Sequence, residues 1–204
     1  MPLVAGNSSL LLFALAHRSS LITGRFSSLM RWMWIDRVID LVPRQRLVAV
    51  KGVSLSEEHL HQHFAADSGR GLSALPVMPA CFVLEGMAQS GGVLVGHAEG
   101  FRFNVVLAKI NRAELVRDAT PGTTIRHTAI IERFDELGAS VAGTIEIFDH
   151  AKPAHGWQPM GSVDLMFSHL DNNQGGGGQA GTDFPAYNFV FGEAFRTLLR
   201  CSGY

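Results

Sequence analysis

Pro79-Ala80-Cys81-Phe82-Val83-Leu84-Glu85-Gly86-Met87-Ala88-Gln89-Ser90-Gly91-Gly92-Val93-Leu94-Val95-Gly96-His97 reads as one long helix. Pro79 sits at or near its first turn, where the missing N–H costs nothing. Val83, Met87, Val93 and Leu94 give a broad apolar surface, and a helix this uniformly apolar is a buried one. Ala88, Ser90, Gly91 and Gly92 are small, and that needs a cause. Two adjacent glycines weaken a helix by about 1 kcal/mol each relative to alanine. They are tolerated where another backbone comes close, as when a sheet wraps around the helix. The expected fold class is therefore α+β, a curved antiparallel sheet around one central helix.

The flanks supply the sheet. Asp36–Val42 and Arg46–Ser54 are apolar or β-branched runs with a turn at Pro43–Gln45, which predicts a hairpin. Thr123–Phe134 and Ala139–Asp149 predict a second hairpin across Asp135–Gly138. In the latter strand Val141, Gly143, Ile145 and Ile147 share one face, the period of two that marks a half-buried strand. Gly161–His169 repeats it with Val163, Leu165 and Phe167. Lys109–Val116 reads as a further strand, and Pro121-Gly122 as the turn before Thr123.

The termini differ from this body. Residues 1–30 are Ser- and Leu-rich, with Arg18 and Arg25 but no acid. The apolar run Leu10–Ala16 has the length of a signal-peptide core but lacks a basic residue before it. An N-terminal extension, or a true start at Met30, is the expectation. Residues 171–183 contain Gly175–Gly178 among Asn, Gln and Asp and read as a flexible linker. Phe184–Arg200, with Phe191, Phe195, Leu198 and Leu199 at helical spacing, predicts a docking helix within a C-terminal segment, 184–204. The body between them is 31–170.

Composition narrows the function. The chain has 204 residues, 47% hydrophobic and 17% charged, with a formal net charge of −1. That is enough for a core, and the charge gives no general reason to expect nucleic acid. No run reaches the roughly 20 apolar residues of a membrane span. Two cysteines, Cys81 and Cys201, cannot make a disulfide framework, which points to a reducing, cytoplasmic setting.

Glu85 is the sole acid on the apolar helix. Burying its carboxylate is costly, so its pKa should rise, leaving a group able to hold or donate a proton near neutrality. A solvated glutamate near a helix start is the alternative. His63, in His59-Leu60-His61-Gln62-His63-Phe64, is the candidate complementary base; taken alone it reads equally as a structural histidine.

His63-Phe64, then Pro76-Val77-Met78-Pro79, then Leu84-Glu85-Gly86-Met87-Ala88-Gln89 resemble the signature of the β-hydroxyacyl-acyl-carrier-protein dehydratases of the FabZ type. That signature is His-Phe-Pro, a short gap, Pro-(Val/Ile)-Met-Pro-Gly, then Leu-Glu-Ala-Met-Ala-Gln. Ile35-Asp36-Arg37-Val38 and Val48-Ala49-Val50-Lys51 resemble the family's first two strands. The resemblance covers about residues 31–170 and implies a hotdog fold. It implies dehydration of 3-hydroxyacyl thioesters to trans-2-enoyl thioesters in fatty-acid or related synthesis. His63 of one subunit takes the C2 proton, and Glu85 of the other protonates the leaving hydroxyl. Backbone N–H groups around Ala80 and Cys81 polarise the thioester carbonyl, with Met78 and Pro79 lining the substrate site. Gln89, one turn after Glu85, orients its carboxyl. The resemblance further implies a homodimer or trimer of dimers. No cofactor is implied beyond the phosphopantetheine of an acyl carrier protein or coenzyme A. Arg102, Lys109, Arg112 and Arg117 are candidate contacts for the acidic carrier.

Two positions depart from the signature. Ala65-Ala66 and the longer stretch Asp67–Ser73 replace Pro-Gly, an insertion able to reshape or lid the pocket mouth. Ala80 replaces glycine, which is harmless at an ordinary first-turn position but unwelcome at positive φ. A hotdog thioesterase or isomerase, and a non-catalytic acyl-binding subunit, are the alternatives. If extended, His59, His61 and His63 would share a face and suggest a metal site; the expectation is no metal. Cys81 reads as a small buried residue rather than a nucleophile.

Overall fold

The structure, a computed structural model, describes residues 32–62, 65–170 and 190–204. Six strands, β1 (Arg37–Val42), β2 (Arg46–Val53), β3 (Val105–Leu115), β4 (Thr123–Asp135), β5 (Gly138–Asp149) and β6 (Gln158–His169), form one antiparallel sheet in the order β1-β2-β4-β5-β6-β3. A short helix, α1 (Glu58–Gln62), leads to the long helix α2 (Ala80–Ala98), and α3 (Glu193–Ser202) closes the chain. This is the hotdog architecture expected, with α2 in the hollow of the sheet.

Both hairpins stand where the sequence places them. The β4–β5 turn is built by Asp135, whose Oδ1 accepts the N–H groups of Leu137 (3.0 Å) and Gly138 (3.2 Å), the local bonding that makes Asp a turn former. Val141, Ile145, Val163 and Leu165 are each 1% exposed or less, so the period-two pattern does face the core. Two strands begin earlier than expected, β3 at Val105 rather than Lys109 and β6 at Gln158 rather than Gly161. In β3 the extra residues pair in register, Val105 with His169 and Leu107 with Phe167; pairing partners distant in sequence leave no local trace.

The small residues of α2 do admit neighbours. A side chain at Gly91 would meet the Phe167 ring at 2.9 Å, which is the sheet approach expected. Gly96 serves a different purpose: a Cβ there would strike Phe191 at 2.7 Å and Phe101 at 2.9 Å. The C-terminal segment thus packs on the far half of α2 and on β1, burying Phe191, Leu198 and Leu199. Among the described residues its helix is Glu193–Ser202, with the extended Gly192 (φ −71°, ψ −171°) at its N-cap; Phe184 of the expected docking helix lies outside the described residues. Ser202 Oγ accepts the β1 backbone N–H of Val38 at 3.1 Å, so the helix also covers part of a sheet edge. Residues 1–31 and 171–189, holding the expected N-terminal extension and linker, lie outside the described residues. No helix among the described residues is long and apolar enough to cross a membrane.

His127 on β4 is fully enclosed against α2, where a side chain at Gly86 would meet its Nε2 at 2.7 Å. Its Nδ1 has no hydrogen-bond partner among the described residues, and burial pushes its pKa down to about 3. A histidine depressed in the fold favours folding fully above its unfolded value of 6.5, and that advantage is lost as pH falls toward 3. Between those values each pH unit costs up to about 1.4 kcal/mol. Thermal melts of His127→Leu from pH 7 to pH 4 are expected to show a flatter acid limb than wild type; parallel limbs would refute this.

Candidate active site

Phe82, Glu85 and Gln89 follow one face of α2 at spacings of three and four residues, and that face meets the segment Trp32–Trp34. Gln89 is the hub. Its Oε1 accepts the Trp34 backbone N–H at 2.8 Å; its Nε2 donates to the Trp32 carbonyl at 2.9 Å and to Glu85 Oε1 at 3.1 Å. Gln89 is buried, so its amide is held by the backbone of the entering chain and in turn holds the carboxyl of Glu85. The contact that an orienting role for Gln89 requires is thus present.

Glu85 is partly buried, and its pKa is raised above the ordinary glutamate value. Loss of solvent is the main cause, opposed by hydrogen bonding from Gln89 and from the Trp32 side chain. A carboxyl in this state holds its proton at a higher pH than a solvated one, which is what proton donation near neutrality requires. Replacing Gln89 by Met removes a donor that favours the charged form. The Glu85 pKa is then expected to climb further above wild type in a carboxyl NMR titration, and a fall would refute the assignment of Gln89.

Pro79 caps the start of α2 in extended conformation (φ −54°, ψ 134°) with no side-chain cap. The N–H groups of Phe82 and Val83 reach the Pro79 carbonyl at 2.9 and 3.4 Å, and the Met78 N–H reaches the Ala119 carbonyl at 2.8 Å. The N–H groups of Ala80 and Cys81 have no partner among the described residues. Both residues are exposed. Two open donors at a helix start are suited to a developing negative charge. Ala80 is an ordinary first helical residue, since the described non-glycine residues with positive φ are Arg44 and Phe101. Its methyl group is harmless there.

Several expectations change. Met78 is 3% exposed and belongs to the core, so it does not line an open site. Cys81 is exposed, not buried, because it occupies the outer side of the first turn. His59 lies in α1, a helix rather than a strand, so alternation does not put it on a common face with its neighbours. Among the described residues no group of three or more His, Cys, Asp or Glu is placed to hold a metal ion. Arg102 pairs with Glu99 at 2.7 Å beyond the far end of α2, Arg112 pairs with Glu114 at 2.6 Å, and Arg117 donates to the Pro159 carbonyl at 2.9 Å. Lys109 stands exposed on β3. The four cations do not gather at the start of α2. His63 lies outside the described residues.

What the residue pattern missed is the aromatic wall beside Glu85. Trp34 stacks on Phe82 (centroids 3.9 Å, 12°), and Trp32 meets both edge-on at 5.3 and 5.6 Å. The i, i+2 spacing of Trp32 and Trp34 is a legible signal for a shared face. That the same segment offers its backbone to Gln89 is not, because any residue type carries that N–H and C=O.

Comparison with known proteins bears on the family and the fold. The family model "FabA-like domain" matches residues 29–147. The chain is 34% identical over 103 residues to a 3-hydroxyacyl-[acyl-carrier-protein] dehydratase FabZ of Alkalilimnicola ehrlichii, a match that spans 48% of this chain and 61% of that protein. It is 30% identical over 143 residues to the enzyme of the same name from Clostridium kluyveri, spanning 70% of this chain and 88% of the other. Among solved structures, the dehydratase heterocomplex ApeI:P from Xenorhabdus doucetiae superposes with a TM-score of 0.50 at 19% identity, over 68% of this chain and 83% of that one. At that identity the likeness speaks for the fold alone.

Proposed function

The chain belongs to the FabA-like domain family, and on that premise we propose that it eliminates water from 3-hydroxyacyl thioesters to give trans-2-enoyl thioesters, in fatty-acid or related lipid synthesis. The single observation that carries this reading is Glu85. It is a carboxyl with a raised pKa, held by a buried amide and set one turn beyond two open backbone donors.

In this reading His63 accepts the proton from C2 of the substrate. The electrons of the broken C–H bond form the C2–C3 double bond as the C3–O bond breaks. Glu85 delivers its proton to the departing hydroxyl, so one water leaves, and the proton on His63 returns to Glu85 through solvent. The N–H groups of Ala80 and Cys81 hold the thioester oxygen while enolate charge builds on it. The substrate arrives on a phosphopantetheine arm, of acyl carrier protein or coenzyme A, and no other cofactor takes part. His63 and Glu85 come from two subunits of a homodimer or a trimer of dimers. β3, 11 residues long, is an edge strand of the sheet among the described residues, which supports pairing with a second sheet.

The test is direct. Purified protein given a 3-hydroxyacyl carrier thioester should release the trans-2-enoyl product, and His63→Ala should lose that turnover. Hydrolysed thioester or a shifted double bond as the product favours the thioesterase or isomerase reading. Full turnover by His63→Ala removes the proposed base. The non-catalytic reading gains nothing from Ala80, whose backbone is ordinary helix.

A further inference from the structure

Lys51 on β2 points into the protein, its side chain only 8% exposed. An ammonium so placed needs its three donors met. Two of them are hydrogen-bonded, to Glu57 Oε1 at 2.5 Å and the Gly52 carbonyl at 2.9 Å, and Asp36 Oδ1 lies within ion-pair range at 3.3 Å. The acceptors come from three places. Asp36 precedes β1 and also takes the Gly52 N–H on its Oδ2 at 2.7 Å. Glu57 stands immediately before α1, with its backbone N–H on the Ser54 carbonyl and its own carbonyl accepting the Leu60 N–H, both at 3.0 Å.

α1 has only five residues, Glu58–Gln62, too few to hold together by helix propensity. Its fixation is tertiary. Leu60 is buried at 2% exposure, the His59 ring sits edge-on to Trp34 at 5.2 Å and to Phe82 at 5.0 Å, and Glu57 is bound to Lys51. Leu60 and His59 are anchors by contact. The Lys51–Glu57 pair sets direction, because a buried charge-assisted hydrogen bond backed by a second carboxylate tolerates little displacement.

Resting on the dehydratase reading, we propose that Lys51 and Glu57 are positioning residues, a buried ionic latch that fixes α1, the helix that ends at the residue before His63 in the sequence. Neither touches substrate.

The variants are Glu57→Gln, Lys51→Met and the double Lys51→Met/Glu57→Gln, with Arg126→Met as control. Arg126 pairs with Glu146 at 2.6 Å on the opposite face of the sheet, away from α1. In full-length protein, Glu57→Gln is expected to speed amide exchange of residues 58–62 at least tenfold. It should also lower kcat at least tenfold while KM stays within threefold. Lys51→Met strands two carboxylates and should lower Tm as well. The double variant should regain Tm but not kcat, which a merely structural role would not produce. Arg126→Met should leave the exchange of 58–62 and kcat unchanged. The latch is overturned if Glu57→Gln exchanges residues 58–62 at the wild-type rate, or if its kcat per folded protein stays within twofold of wild type. A wild-type protein without turnover overturns the dehydratase reading instead, and the exchange rates then judge the latch alone.

Discussion

Glu85→Gln is expected to cut turnover of a 3-hydroxyacyl thioester by about 100- to 10,000-fold, the range a general acid contributes, while the folded protein becomes more stable at neutral pH. Both follow from one fact, that burial raises the Glu85 pKa. Glutamine keeps the shape and the contact with Gln89 but has no proton to give a leaving hydroxyl. Proton linkage sets the sign of the stability change. A carboxyl whose pKa is higher in the fold than in the unfolded chain favours folding fully below the unfolded value near 4.5, and loses that contribution as pH rises through the folded value. At pH 7 the wild type therefore carries a partly buried charge that Gln lacks. The Tm of Glu85→Gln should exceed wild type at pH 7, and the gap should close below about pH 4.5. Melts at the two pH values check it, and a variant less stable than wild type at pH 7 would show that the charge is better solvated than the structure implies.

Phe191→Ala is expected to be the largest single-residue loss of stability, about 3–5 kcal/mol by the usual cost of emptying a buried phenylalanine site. For a chain of this size that corresponds to roughly 8–15 °C in Tm. Phe191 is 4% exposed and fills the notch left by Gly96, with its ring edge-on to Phe101 at 5.1 Å and to Phe195 at 5.7 Å. Removing the ring also loosens α3, and with it the Ser202 bond to Val38 on β1. Activity at low temperature should persist, because Gly96 lies 11 residues beyond Glu85 on α2, about 16 Å along the axis. A Tm within 3 °C of wild type would mean that α3 is an appendage rather than part of the core.

Much of this was legible residue by residue. The alternation of Val141, Gly143, Ile145 and Ile147 already states which face of β5 is buried, because side chains on a strand can point only two ways. The glycines of α2 already state that something comes close. Their partners were less accessible. Gly91 receives the sheet, as expected, whereas Gly96 receives the C-terminal segment, and a missing side chain carries no mark of who fills the space. His127 is the same case in reverse. In the sequence it is one histidine in a strand, and only its enclosure against Gly86 makes it a depressed, uncharged one.

The chain order of apolar periods, turn residues and one lone acid on an apolar helix was enough to indicate a curved antiparallel sheet around one buried helix and to single out Glu85, since both rest on short-range spacing. The hotdog fold and Gln89 came with the resemblance to the FabZ-type dehydratases. Tertiary structure alone decided that Gln89 is held by the backbone of Trp32 and Trp34, that Lys51 finds Glu57 and Asp36, and that the last helix closes the far end of α2. Those pairings join residues far apart along the chain. Which of many possible partners meets a given group depends on how the whole sheet closes, and no local pattern encodes that distance.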